Sequence, residues 1–167
     1  MKNNNHKKAE SSPLVHLHGI SKHFGEGSVR VDALKNIDIE VSAGQVVALL
    51  GPSGSGKTTL LNVIGCILEP NEGYMVLDDD VVYDGHWLRS DLRALRLEKI
   101  GFIFQFHNLL PFLSAQDNVG LVLELAGYDK TAARDRAEEL LSYLEVDHRK
   151  DSFPAKLSGE EAQRVAI

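Results

Sequence analysis

Hydrophobic and polar residues alternate along two short stretches near the start of the chain. In 14–19 valine and leucine alternate with histidine, and in 36–41 every second residue is isoleucine or valine. This period-two pattern predicts two half-buried strands, with the turn-forming sequence GEGS at 25–28 between them and antiparallel pairing expected. A further stretch, GYMVL at 73–77, predicts another strand, and three aspartates follow it.

Two uninterrupted apolar runs, VVALL at 46–50 and IGFIF at 100–104, predict strands of a different kind. A run without alternation is typical of a strand buried on both faces, as in a parallel sheet covered by helices. Helical spacing of apolar residues follows at 60–68 and recurs at 131–146, which indicates an α/β domain. The apolar stripe expected on the second helix comprises Ala133, Ala137, Leu140, Leu141, Tyr143 and Leu144.

Composition and charge narrow the class of protein. The chain has 167 residues, of which 43% are hydrophobic and 25% charged, with a net charge of -6 and one cysteine. These values fit one globular domain, exclude an internal disulfide and argue against a binding surface for nucleic acid. The polar tail 1–13 is predicted to be disordered and lacks the apolar segment of a secretory signal, which favours a cytoplasmic location. No apolar run approaches the ~20 residues that span a bilayer.

The candidate chemistry lies directly after the run 46–50, where GPSGSGKT at 51–58 matches G-x-x-x-x-G-K-[ST] at every fixed position. Glycines let the backbone approach an anion closely, and a helix N-terminus adds partial positive charge. In this arrangement Lys57 reaches the β- and γ-phosphates of a nucleotide, and the Thr58 hydroxyl is a ligand for Mg²⁺. The predicted phosphate and magnesium residues are Gly51, Pro52, Ser53, Gly54, Ser55, Gly56, Lys57, Thr58 and Thr59.

Asp78 is a second candidate for magnesium, because phosphoryl transfer also needs a carboxylate that holds the ion. With Asp78 in that role, the chain would be a small-molecule kinase with a phosphate-binding loop. The alternative is that 78–80 form the solvated tip of a hairpin. The seven histidines show no convincing metal-binding spacing on a helix, so a histidine metal site is not expected.

Four segments of the chain resemble ABC transporter ATP-binding subunits, in the order typical of that family. GPSGSGKTTLLNVIG at 51–65 resembles the family's phosphate loop and helix, and IGFIFQFHNLLPFLSAQDNV at 100–119 resembles its glutamine-bearing segment. Phe24 stands where the family keeps an aromatic residue, and LSGEEAQRVAI at 157–167 resembles the signature segment. The sequence looks most similar to the ATPases of macrolide-export and lipoprotein-release systems.

The resemblance implies an α/β fold of the P-loop NTPase type that covers residues 14–167. Within it, an N-terminal antiparallel β subdomain precedes a helical subdomain at about 106–157 and the signature at 157–167. The family works as a dimer of ATP-binding subunits attached to a transmembrane permease. The resemblance therefore implies a second ATP-binding subunit and a permease as partners, and a position at the inner face of the cell membrane.

The same resemblance assigns ligands and roles to individual residues. It implies ATP and Mg²⁺ as ligands, with Phe24 stacked on adenine and with Gln105 touching the magnesium and the attacking water. Ser158 and Gly159 contact the ATP held by the second subunit. Asp78 loses its magnesium role, because the family's magnesium carboxylate follows the signature.

Glu160 departs from the family pattern, because it replaces the second glycine of Ser-Gly-Gly. A carboxylate repels a phosphate by about 1 kcal/mol at about 4 Å in water, which predicts weak closure of the ATP-bound dimer. In the alternative interpretation, Glu160 and Glu161 simply favour the first turn of a helix, with Ser158 as its N-cap and Glu161 completing a capping box.

The family also places a buried strand ending in aspartate, a catalytic glutamate and a later histidine after the signature. None of these follows the signature within the 167 residues, so no catalytic residue is assigned, and the domain is expected to be incomplete on its C-terminal side. The sequence is interpreted as the ATP-binding part of an exporter that does not hydrolyse ATP alone. The alternative is an inactive nucleotide-binding module.

Overall fold

The computed structural model describes residues 13–167, so the predicted disordered tail lies outside the described residues apart from Pro13. The chain forms two compact units, one running through Gly101 and the other spanning Phe102–Ile167. Each unit has its own cluster of buried apolar side chains. The predicted subdomain limits at about 106–157 and 157–167 stay predictions.

The first unit is built on a four-stranded antiparallel sheet with the strand order β2-β1-β3-β4. The three strands predicted from 14–19, 36–41 and 73–77 are confirmed, and the first two are longer than the alternating pattern showed. The elements of this unit are β1 Val15–Phe24, β2 Val31–Val41, helix α1 Lys57–Ile64, β3 Glu72–Leu77, β4 Asp80–Asp84 and helix α2 Leu92–Lys99.

Alternation along β1 divides the sheet into a core face and a polar face. Leu17 pairs with Ile39 on β2 and with Met75 on β3, and both Leu17 and Met75 are almost completely buried. On the opposite face, the Nδ1 atom of His18 lies 2.7 Å from the Oδ1 atom of Asp38. Exposed polar side chains therefore pair across the strands where the sheet faces water.

The aspartates after β3 form the tip of a two-residue hairpin. Asp78 and Asp79 have φ angles of 48° and 66°, the left-handed conformation that tight hairpin turns require. The carboxylate of Asp78 also accepts a hydrogen bond from the ammonium of Lys99. Asp78 is thus a turn residue, and the kinase interpretation that needed it as a magnesium ligand has no support.

The two buried strands predicted at 46–50 and 100–104, the first of them in a parallel sheet, do not form, so that prediction was wrong. Val46 is 99% exposed and Leu50 is 91% exposed. Neither segment belongs to the four-stranded sheet of the described residues. An apolar run shows that a segment can be buried, but a strand also needs a neighbour that accepts its backbone hydrogen bonds, and the described residues supply none here.

The second unit is helical. Its elements are α3 Ala115–Leu125, α4 Lys130–Tyr143 and α5 Gly159–Val165, with short 3-10 turns at Asp147–Arg149 and Pro154–Lys156. Ser114, Asp129 and Ser158 cap the three α-helices through their side chains. The helix predicted from 131–146 is confirmed, but Tyr143 is 84% exposed and does not belong to its buried stripe. Among residues 13–167, no helix combines the length and apolar character needed to cross a bilayer.

Asn118 on α3 organises the loop that precedes this helix. Its Oδ1 atom accepts a hydrogen bond from the Leu110 N–H at 2.7 Å, and its amide donates to the carbonyls of Leu110, Leu113 and Ser114. Asn118 is 8% exposed, so these bonds satisfy a buried polar group. They fix a loop whose Phe112 side chain is 70% exposed.

Candidate nucleotide-binding site

Glycines shape the loop between residue 50 and helix α1. Gly54 and Gly56 have φ angles of 81° and 87°, a region that other residues adopt only with strain. Gly56 also lies against strand β2, since a Cβ atom on it would meet the Ala33 carbonyl oxygen at 2.4 Å. Both the backbone angle and the close packing against β2 therefore require glycine at position 56.

The loop closes around the ammonium of Lys57. This Nζ atom donates to the carbonyl oxygens of Gly51 at 2.8 Å and Pro52 at 2.7 Å, and it lies 3.2 Å from the Ser55 hydroxyl. A further backbone bond joins the Ser55 N–H to the Pro52 carbonyl. The positive charge is thereby held inside the loop that the sequence motif predicts for phosphate binding.

The start of α1 is suited to an anion. Gly56 is its N-cap and has no side chain to accept from the first-turn amides, and the first turn carries no acidic residue. Lys57, Thr58 and Thr59 occupy that turn, and Thr58 is exposed. Free amides at a helix N-terminus, a nearby ammonium and an accessible hydroxyl are the groups that a phosphate with its hard cation requires.

Phe24 ends strand β1 in the same unit as the loop. Its ring is 46% exposed, and the Nζ atom of Lys22 lies 5.4 Å from the ring centroid. Lys22 pairs with Leu34 in the β1–β2 ladder, and a Cβ on Gly56 would lie 3.2 Å from the Cδ2 atom of Leu34. The end of β1 and the phosphate-binding loop therefore lie against the same part of β2.

The other predicted site residues belong to the second unit. Gln105 is exposed in an irregular connection ahead of α3, and Ser158 and Gly159 are exposed at the start of α5. The loop and Phe24 thus both belong to the first unit. Sequence reasoning missed two contacts, that of Lys22 with the Phe24 ring and that of the Ala33 carbonyl with Gly56. Lys22 could have been found, because residues two apart on a strand project from the same side.

The signature helix α5 begins with a complete capping box, as the alternative interpretation of Glu161 predicted. The Ser158 hydroxyl accepts from the Glu161 N–H at 3.2 Å, and the Ser158 N–H donates to the Glu161 carboxylate at 2.7 Å. Arg149 donates to the same carboxylate at 2.7 Å, and a ring nitrogen of His148 lies 3.5 Å from it. Glu160 lies exposed in the same first turn.

These contacts predict how stability depends on pH. The Ser158 backbone bond, followed by the Arg149 bond, lowers the pKa of Glu161 from 4.5 to about 2. A carboxyl group whose pKa is lower in the folded chain than in the unfolded chain stabilises the fold. This contribution is complete at pH values above the pKa of the unfolded chain, and it is lost as pH falls toward the pKa of the folded chain. We expect the stability difference between wild type and Glu161→Gln to shrink as pH falls below about 5.

Urea unfolding followed by circular dichroism at a series of pH values measures this difference. Asp135→Asn, which neutralises an exposed carboxylate on α4, is the control for the loss of one negative charge. A difference for Glu161→Gln that grew as pH fell from 5 to 3 would contradict the expected sign.

A glycine loop closed on a lysine ahead of an uncapped helix defines a nucleotide-binding domain of the phosphate-loop class. Comparison with known proteins then gives the family. The family description "ABC transporter" matches residues 34–167, and the chain belongs to the ABC transporter ATP-binding family. The fold prediction for that family is confirmed.

The predicted similarity to macrolide-export and lipoprotein-release ATPases is confirmed by two relatives. The lipoprotein-releasing system ATP-binding protein LolD of Novosphingobium aromaticivorans is 44% identical over 158 residues, which are 94% of this chain and 69% of that protein. The macrolide export ATP-binding/permease protein MacB 1 of Aeromonas hydrophila is 46% identical over 156 residues, which are 93% of this chain and 24% of that protein. The chain thus spans about a quarter of the length of MacB 1 and about two thirds of LolD.

A solved structure shows the same fold. The dimeric ATP-binding cassette MJ0796, in a post-hydrolysis state bound to ADP and Pi, matches with a TM-score of 0.82 and 37% sequence identity. The match covers 92% of this chain and 67% of that one.

Proposed function

We propose that the chain is the ATP-binding part of an ABC-type exporter, which couples ATP binding to transport by a membrane partner. The single observation that carries this proposal is the closure of the loop carbonyls of Gly51 and Pro52 on the Lys57 ammonium, directly ahead of the uncapped helix α1. The names of two relatives support the direction of transport, since LolD is called lipoprotein-releasing and MacB 1 is called a macrolide export protein.

The residues of the first unit fit ATP with Mg²⁺. The backbone amides of 51–56 and of the first turn of α1 would hold the phosphates, with Lys57 as the charged partner of the β- and γ-phosphates. Thr58 would bind the magnesium through its hydroxyl, and Phe24 would stack on the adenine. The bound Mg²⁺ supplies charge neutralisation at the phosphates, while these side chains orient the nucleotide.

Two segments of the second unit take the remaining roles in this proposal. Gln105 would contact the magnesium and the water that attacks the γ-phosphate. Ser158 and Gly159 would face the ATP bound by a second ATP-binding subunit, and the dimeric state of the MJ0796 cassette supports such a pairing. Glu160 would place a carboxylate beside that phosphate and weaken closure of the dimer.

A transmembrane permease is the other partner that we propose. MacB 1 carries ATP-binding and permease functions under one name, whereas LolD is named as an ATP-binding protein of a releasing system. The chain would therefore act at the cytoplasmic face of the membrane through its permease. The segment from Phe106 to Gly127 would transmit the conformational change.

Binding without hydrolysis is the second part of the proposal. Phosphoryl transfer needs a magnesium carboxylate and a group that positions the attacking water. Asp78 lies at a hairpin tip paired with Lys99, and no other side chain of the described residues is assigned as a catalytic base. We expect these 167 residues to bind ATP without turning it over.

Titration with a fluorescent ATP analogue in the presence of Mg²⁺ tests the proposed binding. Lys57→Ala should weaken binding at least about tenfold, since the ammonium contacts two phosphates in this proposal. Arg93→Ala removes an exposed cation from α2 and serves as the control, with binding unchanged. Equal affinity of wild type and Lys57→Ala would refute the site.

A phosphate-release assay on the same proteins tests hydrolysis. We expect wild type and Lys57→Ala to release phosphate at the same background rate. Turnover by wild type above that of Lys57→Ala would show that the described residues do contain the hydrolytic groups.

A further inference from the structure

We propose that Lys22 is a positioning residue of the nucleotide site, which orients the Phe24 ring for the base and so sets the preference for nucleotides over phosphate alone. This inference rests on the proposed function, because it concerns the base end of the same site. It names a residue outside the loop motif and outside the four stretches on which the family resemblance was recognised.

The contact between the two side chains is geometrically well placed. The Nζ atom of Lys22 lies 5.4 Å from the centroid of the Phe24 ring, within the ~6 Å over which an ammonium is attracted to an aromatic face. Lys22 and Phe24 are two residues apart on β1, so they project from the same side of the strand. The ammonium covers one side of a ring that remains 46% exposed.

The backbone around this pair is held firmly. The His23 N–H donates to the Asn71 side chain at 2.8 Å, and the Asn71 N–H donates to the Ser21 carbonyl at 2.8 Å. Directly after Phe24 the chain turns at Gly25, where a Cβ atom would meet the Val29 carbonyl oxygen at 2.7 Å. The ring is thus carried by a fixed strand end, and its remaining freedom lies in the side-chain torsions that Lys22 restricts.

The position of the pair relative to the loop supports a role in binding the base. Lys22 pairs with Leu34, and Leu34 packs beside Gly56 of the phosphate-binding loop. An aromatic ring next to a phosphate site offers a face on which a nucleobase stacks. A cation bound to the opposite face of that ring fixes its orientation without occupying the stacking face.

Paired measurements with ATP and with inorganic tripolyphosphate test this role, because tripolyphosphate has the phosphates but no base. Lys22→Met keeps most of the side-chain length and removes the charge. We expect it to weaken MgATP binding by about two- to fivefold, the range of an exposed cation–π contact, and to leave tripolyphosphate binding unchanged. Lys22→Arg retains a cation for the ring and should restore the wild-type ratio of the two affinities.

Two controls separate this effect from general electrostatics and from misfolding. Lys35→Met removes a cation of 74% side-chain exposure from the neighbouring strand, and it should leave the ratio of the ATP and tripolyphosphate affinities unchanged. In a Phe24→Leu background, Lys22→Met should cause no further loss of MgATP affinity, because the aromatic ring that Lys22 contacts is absent. Thermal melting curves of each variant establish that the fold is retained.

Other results would overturn the inference. An equal loss of ATP and tripolyphosphate affinity in Lys22→Met would make Lys22 a phosphate contact. Unchanged ATP affinity, or an undiminished effect in the Phe24→Leu background, would show that the cation–π contact does not act on the base. A wild-type chain that bound neither ligand would overturn the proposed function and this inference together.

Discussion

Replacing Gly56 with alanine should destabilise the first unit by about 3 kcal/mol and weaken ATP binding about tenfold or more. Two effects add at this position. A positive φ of 87° strains any residue with a Cβ. The new Cβ would also meet the Ala33 carbonyl oxygen at 2.4 Å, and this backbone atom of β2 cannot move without disturbing the strand.

Gly54→Ala is the matched control for this substitution. Gly54 has a φ angle of 81°, but a Cβ there meets no atom within 4 Å. It should therefore show only the conformational strain of about 1 kcal/mol. Urea unfolding and fluorescent ATP titration of both variants measure the difference. Equal destabilisation by the two substitutions would mean that the contact with β2 does not constrain the loop.

Tyr83→Ala should destabilise the first unit by about 3–5 kcal/mol, because it opens a cavity in the core. Tyr83 is 1% exposed, and its ring packs edge-to-face on Trp87 with centroids 5.3 Å apart. Its hydroxyl donates to the Pro70 carbonyl at 2.9 Å. Since Trp87 is the single tryptophan of the chain, its fluorescence during urea unfolding reports on this unit.

One further variant separates the contribution of the Tyr83 ring from that of its hydroxyl, and a second is a surface control. Tyr83→Phe keeps the ring and removes the hydroxyl, which should destabilise by about 1 kcal/mol. Leu97→Ala on α2 removes a side chain that is 51% exposed and should stay within about 0.5 kcal/mol of wild type. If Tyr83→Ala were as stable as Tyr83→Phe, the packing of this ring would contribute little.

Much of the site was predictable from the sequence because its residues are consecutive. The loop, its glycines and Lys57 follow one motif whose chemistry depends on local backbone geometry. Contacts between distant positions were not predictable in this way. The Ala33 carbonyl that limits Gly56 comes from β2, and no local pattern marks it. The placement of Gln105 and Ser158 in the second unit also depends on tertiary structure.

The fold was predictable where the interacting residues lie close together in the sequence, as in a hairpin turn or a helix cap. The hairpin at 78–80 and the capping box of Ser158 and Glu161 are short-range features, and both formed as the sequence indicated. Tyr143 was misplaced because helical spacing identifies a face and does not say which apolar residues at its margin find a contact. The run 46–50 was misplaced because burial needs a neighbouring strand.

That exposed run has a consequence for how the chain behaves at high concentration. VVALL at 46–50 is uncharged and rich in valine and leucine, and Val46 and Leu50 are almost completely accessible to water. Short apolar segments with free backbone groups stack readily on identical segments of other molecules and build cross-β aggregates. The stretch that leads into the phosphate-binding loop therefore also offers an apolar surface for self-association at high concentration.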